Sequence, residues 1–300
     1  MAQVFKMVDT AGSPASLASP GGALSHLLLD IYTLYRRTMI RMVRQPAQLI
    51  FSLAQPLAWF LFFGQLFSRL TTGFGVVGAG GQGQLSAQFG TTNYTAFFLP
   101  AIIVQVLLFG PVNSALGFIN DDQTGYLTKL RVAPINRLSI MLGNLLADVT
   151  RMLIQVVIVL LLGFVAGARP VHPELLPLLF VIATLFGLMM GGIWLFIGLT
   201  TRNMQATYLI FNFFSLPLLF ASSAQLPLGL LPGWLQVVAQ YNPVTYAVNA
   251  LRVIFIGLNA RQAAGHQTEL SIIALSAGIL TALLVLALTA GVWRFRKQMQ

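Results

Sequence analysis

Long apolar runs alternate with short polar and basic connectors along most of this chain. A helix needs some 20 apolar residues to cross the hydrocarbon core of a bilayer. In that solvent every backbone polar group must bond within the protein, which favours helices over open strands. The pattern therefore predicts an all-α, polytopic membrane protein with six transmembrane helices. They are placed at about residues 48–67, 95–118, 146–166, 175–199, 208–223 and 270–293. The third contains the unbroken apolar run from Val157 to Leu162.

A different periodicity precedes the first span. Leu28, Tyr32, Tyr35, Met39 and Met42 recur at intervals of three and four residues, so a helix places them on one face. Arg37, Arg41 and Arg44 fall on the opposite face. An apolar and aromatic face against an arginine face predicts an amphipathic helix lying in the membrane interface, its guanidinium groups reaching phosphates or water. Pro46 ends it before the first span.

The stretch from Leu226 to Leu258 is apolar but interrupted. Pro227, Gly229, Pro232 and Gly233 break its first half, and its second half carries Arg252. A single further crossing would move Arg294, Arg296 and Lys297 to the outer side. The expectation is an outer re-entrant hairpin, toward which Pro217 kinks the fifth span; a pair of extra crossings keeps the same parity. The resulting division is a flexible tail at 1–22, the interface helix at 23–45, a six-helix transmembrane domain at 46–293 and a basic cytoplasmic tail at 294–300.

Composition sharpens this picture. Only 8% of the 300 residues are charged, against roughly a quarter in soluble domains. The net charge of +10 is spread between the apolar runs instead of forming a nucleic-acid-binding patch. With the N-terminus inside, thirteen of the seventeen Lys and Arg residues fall on the cytoplasmic side; Arg69, Arg169, Arg252 and Arg261 fall outside. That asymmetry follows the positive-inside rule and places both termini in the cytoplasm of a bacterial inner or plasma membrane.

Catalytic chemistry is sparse. There is no cysteine, and His26, His172 and His266 lack metal-site spacing. The Gly78–Gln84 stretch has neither the Lys-Ser/Thr pair nor the preceding strand of a phosphate loop; it sits in an uncharged Gly-, Gln- and Thr-rich segment expected to be a flexible outer loop. Asp148 is the one acid inside a predicted span, and Arg151 lies three residues on, within pairing reach. An ion-driven carrier usually needs more ionisable groups near the midplane. The connector after the second span, from Asn120 to Pro134, is richer: a short helix there exposes charges, leaves Tyr126, Leu127 and Leu130 to pack, and stops at Pro134.

Two stretches carry a family resemblance. DDQTGYLTKLRVAPINR, from Asp121 to Arg137, is followed by Gly143 and Asn144. FASSAQLPLGLLPGWLQVVAQYNPVTYAVNALR runs from Phe220 to Arg252. With the span plan, they resemble permeases of the ABC-2 exporter family, in particular its daunorubicin-resistance-like drug exporters. The resemblance implies two permease protomers, as a homo- or heterodimer, and two ATP-binding cassette subunits beneath them. ATP and Mg would sit on those partners, with no cofactor on this chain and no enzymatic site of its own. Gly125, Tyr126, Leu127, Lys129, Leu130, Arg131 and Pro134 would lie in the main coupling helix region, Arg131 and Arg137 framing its contact surface. Members often have an Arg-acid arrangement where this chain has Asp122-Gln123, which leaves the charge partner on the ATPase open. Ser222, Ser223, Pro227, Trp234, Asn242, Pro243 and Arg252 would belong to the outer hairpin that closes the pathway.

The expected function is ATP-driven export of hydrophobic or amphiphilic molecules, drug or lipid-like, from a membrane whose lipids are themselves partners. Phe97, Phe98, Phe211 and Phe214 are candidates for an aromatic path, with Phe63, Phe109 and Phe213 beside them. Export of polysaccharide or glycolipid, secondary carriage and a non-transporting scaffold are the competing readings.

Overall fold

The computed structural model describes residues 23–44, 46–72, 94–125, 137–258 and 268–298. The expected N-terminal tail, the Gly-rich loop from residue 73 onward and most of the coupling segment (126–134) lie outside them. All regular structure among the described residues is helical. Helix α1 spans Ala23–Arg44 and α2 spans Pro46–Thr72. Then come α3 (Tyr94–Phe109), α4 (Val112–Gln123), α5 (Arg137–Val165), α6 (Leu176–Thr201), α7 (Met204–Phe220), α8 (Gly233–Tyr241), α9 (Pro243–Ile256) and α10 (Glu269–Gln298). Single 3-10 turns at Pro173–Leu175 and Leu228–Leu230 precede α6 and α8.

Helix α3 is the axis of the bundle. Every residue from Ala96 to Leu108 is buried, and α2, α5, α6 and α9 pack around it. Phe98, Ile102, Ile103 and Leu107 meet a core that includes Phe186, Trp194 and Phe255. In lipid this core is held by close fit more than by release of water. The α6–α10 contact shows how: a Cβ added at Gly192 would lie 3.2 Å from the Cβ of Ala287, so small residues let the two backbones approach.

The expected six spans and re-entrant hairpin are not what the chain builds. Among the described residues, four stretches are long and apolar enough to cross a membrane: Tyr94–Gln123, Leu142–Val165, Pro173–Thr201 and Glu269–Arg294. Three further apolar stretches among them are shorter: Ser52–Gly64 within α2, Met204–Phe220 and Pro243–Ile256. The fifth expected span fails on length. Arg202 takes a left-handed conformation (φ 50°) that ends α6, and the Asn203 side chain accepts from the backbone N–H groups of Gln205 and Ala206 to start α7. The 17 residues of α7 rise about 26 Å, short of the roughly 30 Å core. The hairpin fails for another reason. Residues Val244 to Phe255 of α9 are mostly buried in the centre of the bundle, against α3 and α10. Arg252 does not hold this segment at an interface, because its charge is satisfied inside the protein.

Candidate functional site

Two clusters of polar groups among the described residues bear on function. The first lies where α1, α4 and α5 meet. Helix α1 lies against α5 at Gly143, where an added Cβ would be 2.8 Å from the Cβ of Leu34 and 3.1 Å from the carbonyl oxygen of Ile31. The next residue, Asn144, accepts a hydrogen bond from the Thr38 hydroxyl at 2.9 Å. Further along, the Tyr35 hydroxyl donates to Thr150 at 3.3 Å. Leu34 is buried, whereas Leu28 and Tyr32 are more than 60% exposed, so α1 keeps an uncovered apolar face beside its packed one.

Charges stitch the same junction. Arg37 and Arg41, one turn apart on α1, each place a guanidinium nitrogen 3.5 Å from the buried carboxylate of Asp121 on α4. Arg44 is exposed. Four residues past Asp121 the chain turns at Gly125, whose φ of +73° suits glycine, and it leaves the described region there. Tyr126, Leu127, Lys129, Leu130, Arg131 and Pro134 therefore lie outside the described residues. Arg137 is the first residue of α5.

Deeper in, the span that begins with α3 is broken. Pro111 has no N–H to continue the ladder, and α3 gives way to α4 at Gly110-Pro111. The carbonyl of Gly110 accepts from Arg151 on α5 at 3.1 Å, as well as from the Asn113 N–H at 3.4 Å. The same guanidinium lies 3.3 Å from the buried Asp148 and donates to Ser114 at 3.4 Å. The expected Asp148–Arg151 pair thus clasps a helix break. A cavity of about 480 Å3 opens beside it, lined among others by Arg41, Asn113, Ser114, Asp121, Asp148 and Arg151.

The second cluster lies around Arg252. Its guanidinium stacks 3.7 Å from the centre of the Phe97 ring. Its Nε donates to the Phe97 carbonyl at 3.3 Å and one terminal nitrogen donates to the Ala224 carbonyl at 2.9 Å. Asn242 donates to the carbonyls of Leu218 and Ala221, both at 2.7 Å, and accepts from Val244 N–H, so it caps α9 with Pro243 at the first helical position. Ser223 donates to Asn249 at 2.9 Å, and its N–H donates to Thr245. Ser222 accepts from the N–H of Ala224. The structure brings Ser222, Ser223, Asn242, Pro243 and Arg252 together. Pro227 is half-buried ahead of the Leu228–Leu230 turn, and Trp234 is 71% exposed on α8.

The aromatic candidates divide. Phe97 and Phe98 are buried in the core. Phe211 is buried too, its ring 5.0 Å from Trp194 and 5.6 Å from Phe109. Phe213 and Phe214 are exposed on α7. Sequence reasoning missed the roles of Gly143, Asn144 and the Gly110-Pro111 break. The Gly-Pro dipeptide was a visible signal for the break; nothing local marked Asp121 as the partner of two arginines some 80 residues earlier.

Among proteins of known description, the transport permease ycf38 of Cyanophora paradoxa is 29% identical over 272 residues, covering 89% of this chain and 88% of that protein. Its Porphyra purpurea counterpart is 30% identical, covering 76% of this chain and 75% of its own length. The daunorubicin resistance ABC transporter permease protein DrrB1 of Streptomyces coeruleorubidus is 25% identical, covering 93% of this chain and 88% of that protein. The family model for ABC-2 type transporters matches residues 30–256, which takes in the α1–α4–α5 junction, the broken span and the Arg252 cluster. The chain is thus a multi-pass membrane protein that belongs to the ABC-2 type transporter family, as the permease component of an ABC-type transporter.

Proposed function

We propose that this chain is the permease of an ATP-driven exporter of hydrophobic or amphiphilic molecules, working as a dimer above two ATP-binding cassette subunits in a bacterial inner or plasma membrane. The observation that carries the reading is the α1–α4–α5 junction, which ends at the segment expected to dock the ATPase. Asp121 joins α4 to α1 through Arg37 and Arg41, four residues before that segment begins. The DrrB1 relative is named for daunorubicin resistance, which favours an amphiphilic cargo over a sugar polymer.

The mechanism follows from the packing. ATP-driven closure of the partner dimer pushes the segment after Gly125. The push enters α4 at its C-terminal end and crosses to α1 by way of Asp121. It reaches α5 where Leu34 meets Gly143. The Gly110-Pro111 break lets α4 tilt while α3 stays locked in the core, because a break in the ladder is a point of low bending cost. Two packings of the permease dimer, open inward and open outward, are thereby exchanged. The docking segment faces the cytoplasm in this scheme.

The test is purification with a candidate ATP-binding subunit and reconstitution in lipid vesicles. Cargo-stimulated ATP hydrolysis is expected, and removal of residues 125–134 is expected to abolish it while leaving membrane insertion intact. Normal coupled hydrolysis in the deletion complex would refute the docking assignment. Transport without any ATPase would favour a secondary carrier, and stimulation by sugar polymers but not by amphiphiles would favour polysaccharide export.

A further inference from the structure

The cavity beside the helix break holds charged groups beyond the Arg41–Asp121 link that the docking scheme uses. It contains two guanidinium groups, Arg41 and Arg151, and two carboxylates, Asp121 and Asp148, set among the amide and hydroxyl groups of Asn113 and Ser114. Charged groups on membrane-spanning segments are costly, and those that persist commonly mark the path of a polar ligand. A broken helix beside a cavity is a frequent setting for such a site. Here the Gly110 carbonyl is directed at Arg151, and Arg151 also holds Asp148 and Ser114. At about 480 Å3 the cavity falls within the roughly 300–1,000 Å3 range of small-molecule sites. It is too small for a whole diacyl lipid and ample for a polar head.

The signs of the lining groups select the ligand. An anion alone would meet Asp121 and Asp148 as well as the arginines; a cation alone would meet Arg41 and Arg151. A head carrying both charges can exchange each internal ion pair for a pair of its own. Met39, Met42 and Met204 complete the wall with flexible thioethers that adapt to the first carbons of a chain. We infer that this cavity binds the zwitterionic head of an amphiphile, with a phosphate facing Arg41 and Arg151 and a primary amine facing Asp121 and Asp148. The inference rests on the export reading only in making that head part of the cargo; binding itself requires no ATPase.

The purified chain in detergent provides the test, with short-chain phosphatidylethanolamine as the probe and phosphatidylglycerol of the same acyl length as the anionic comparison. Binding is read by native mass spectrometry and by the shift in thermal midpoint. At least a tenfold preference for phosphatidylethanolamine is expected. Asp148→Asn removes one carboxylate and is expected to erase the preference. Because that variant also loosens the Arg151 clasp, Asn113→Leu serves as a second one. It fills the half-buried cavity wall without touching an ion pair, and is expected to weaken phosphatidylethanolamine at least tenfold. Equal binding of the two lipids, a preference for phosphatidylglycerol, or unchanged binding in a folded Asn113→Leu protein would overturn the inference. Selective binding without lipid-stimulated hydrolysis in the reconstituted complex would leave this site standing and count against the export reading alone.

Discussion

The guanidinium of Arg252 lies 3.7 Å over the ring of Phe97, and its Nε donates to the carbonyl of that same residue. One side chain thus binds both the face and the backbone of its neighbour, joining α9 to the central α3. A second donation, to Ala224, ties in the segment after α7. This is how a cation is accommodated in an apolar bundle: planar, weakly hydrated and multiply bonded.

Arg252→Lys keeps the charge and loses the planar fork. It is expected to lower the thermal midpoint in detergent, with a loss on the order of 1–3 kcal/mol as the Phe97 and Ala224 carbonyls lose donors. Arg252→Ala is expected to cost more, since it also leaves a cavity. Unchanged midpoints in both variants would show that the cluster contributes nothing to stability.

The same residue explains why its segment reads from sequence as an outer hairpin. An arginine in a short apolar stretch suggests an interface, and only the folded structure supplies the ring and two carbonyls that satisfy it. The long apolar runs were legible because composition alone decides whether a helix tolerates lipid. Helix lengths were less so: the cut between α6 and α7 depends on the left-handed turn at Arg202 and the Asn203 cap, both within a polar connector that reads as an ordinary loop. The interface helix was legible from its period. What it packs on was not, because Gly143 and Asp121 lie about a hundred residues away and pair with it only through the fold.

Gly143 marks the closest approach of α1 to α5. Gly143→Val would drive a Cβ to within 2.8 Å of the Leu34 Cβ, with the Ile31 carbonyl behind it, so the helices must separate. Overpacking of this kind typically costs about 1–3 kcal/mol. Coupled ATP hydrolysis is expected to fall with stability, and Leu34→Ala in the same chain is expected to restore part of both. A double variant no better than Gly143→Val alone would show that the contact with Leu34 is not what limits the approach.

Asp121 receives two arginines, yet Arg37 and Arg41 are each a third or more exposed. Ion pairs of that exposure contribute little, about 0–1 kcal/mol. Asp121→Asn is therefore expected to leave the thermal midpoint nearly unchanged while reducing ATPase coupling, since the link between α4 and α1 is weakened at the docking end. Equal losses in stability and coupling would assign Asp121 a packing role only.

Phe211 and Phe214 sit three residues apart on α7 and meet different surroundings. A charge at Phe211 would enter the ring cluster of Trp194 and Phe109, whereas Phe214 is exposed. Phe211→Arg is expected to abolish folded protein. Phe214→Arg is expected to keep the internal packing and to lose transport, because its side chain faces outside the described bundle toward lipid, cargo or the second protomer. Abundance and transport both normal for Phe214→Arg would remove that face of α7 from the pathway.

Gln105 sits in the middle of α3 with 1% of its surface exposed, and neither its amide nitrogen nor its oxygen has a hydrogen-bond partner among the described residues. An unsatisfied buried amide costs about 1–3 kcal/mol, and replacing it with an apolar side chain of similar size removes that cost. Gln105→Leu is thus expected to raise the thermal midpoint. A polar residue kept against stability at the axis of the bundle points to a requirement of the moving protein, so transport is expected to fall while the protein becomes more stable. A lower midpoint would show that the amide is bonded in the membrane, and a higher midpoint with full transport would mean that the cost of this residue serves no step of the cycle.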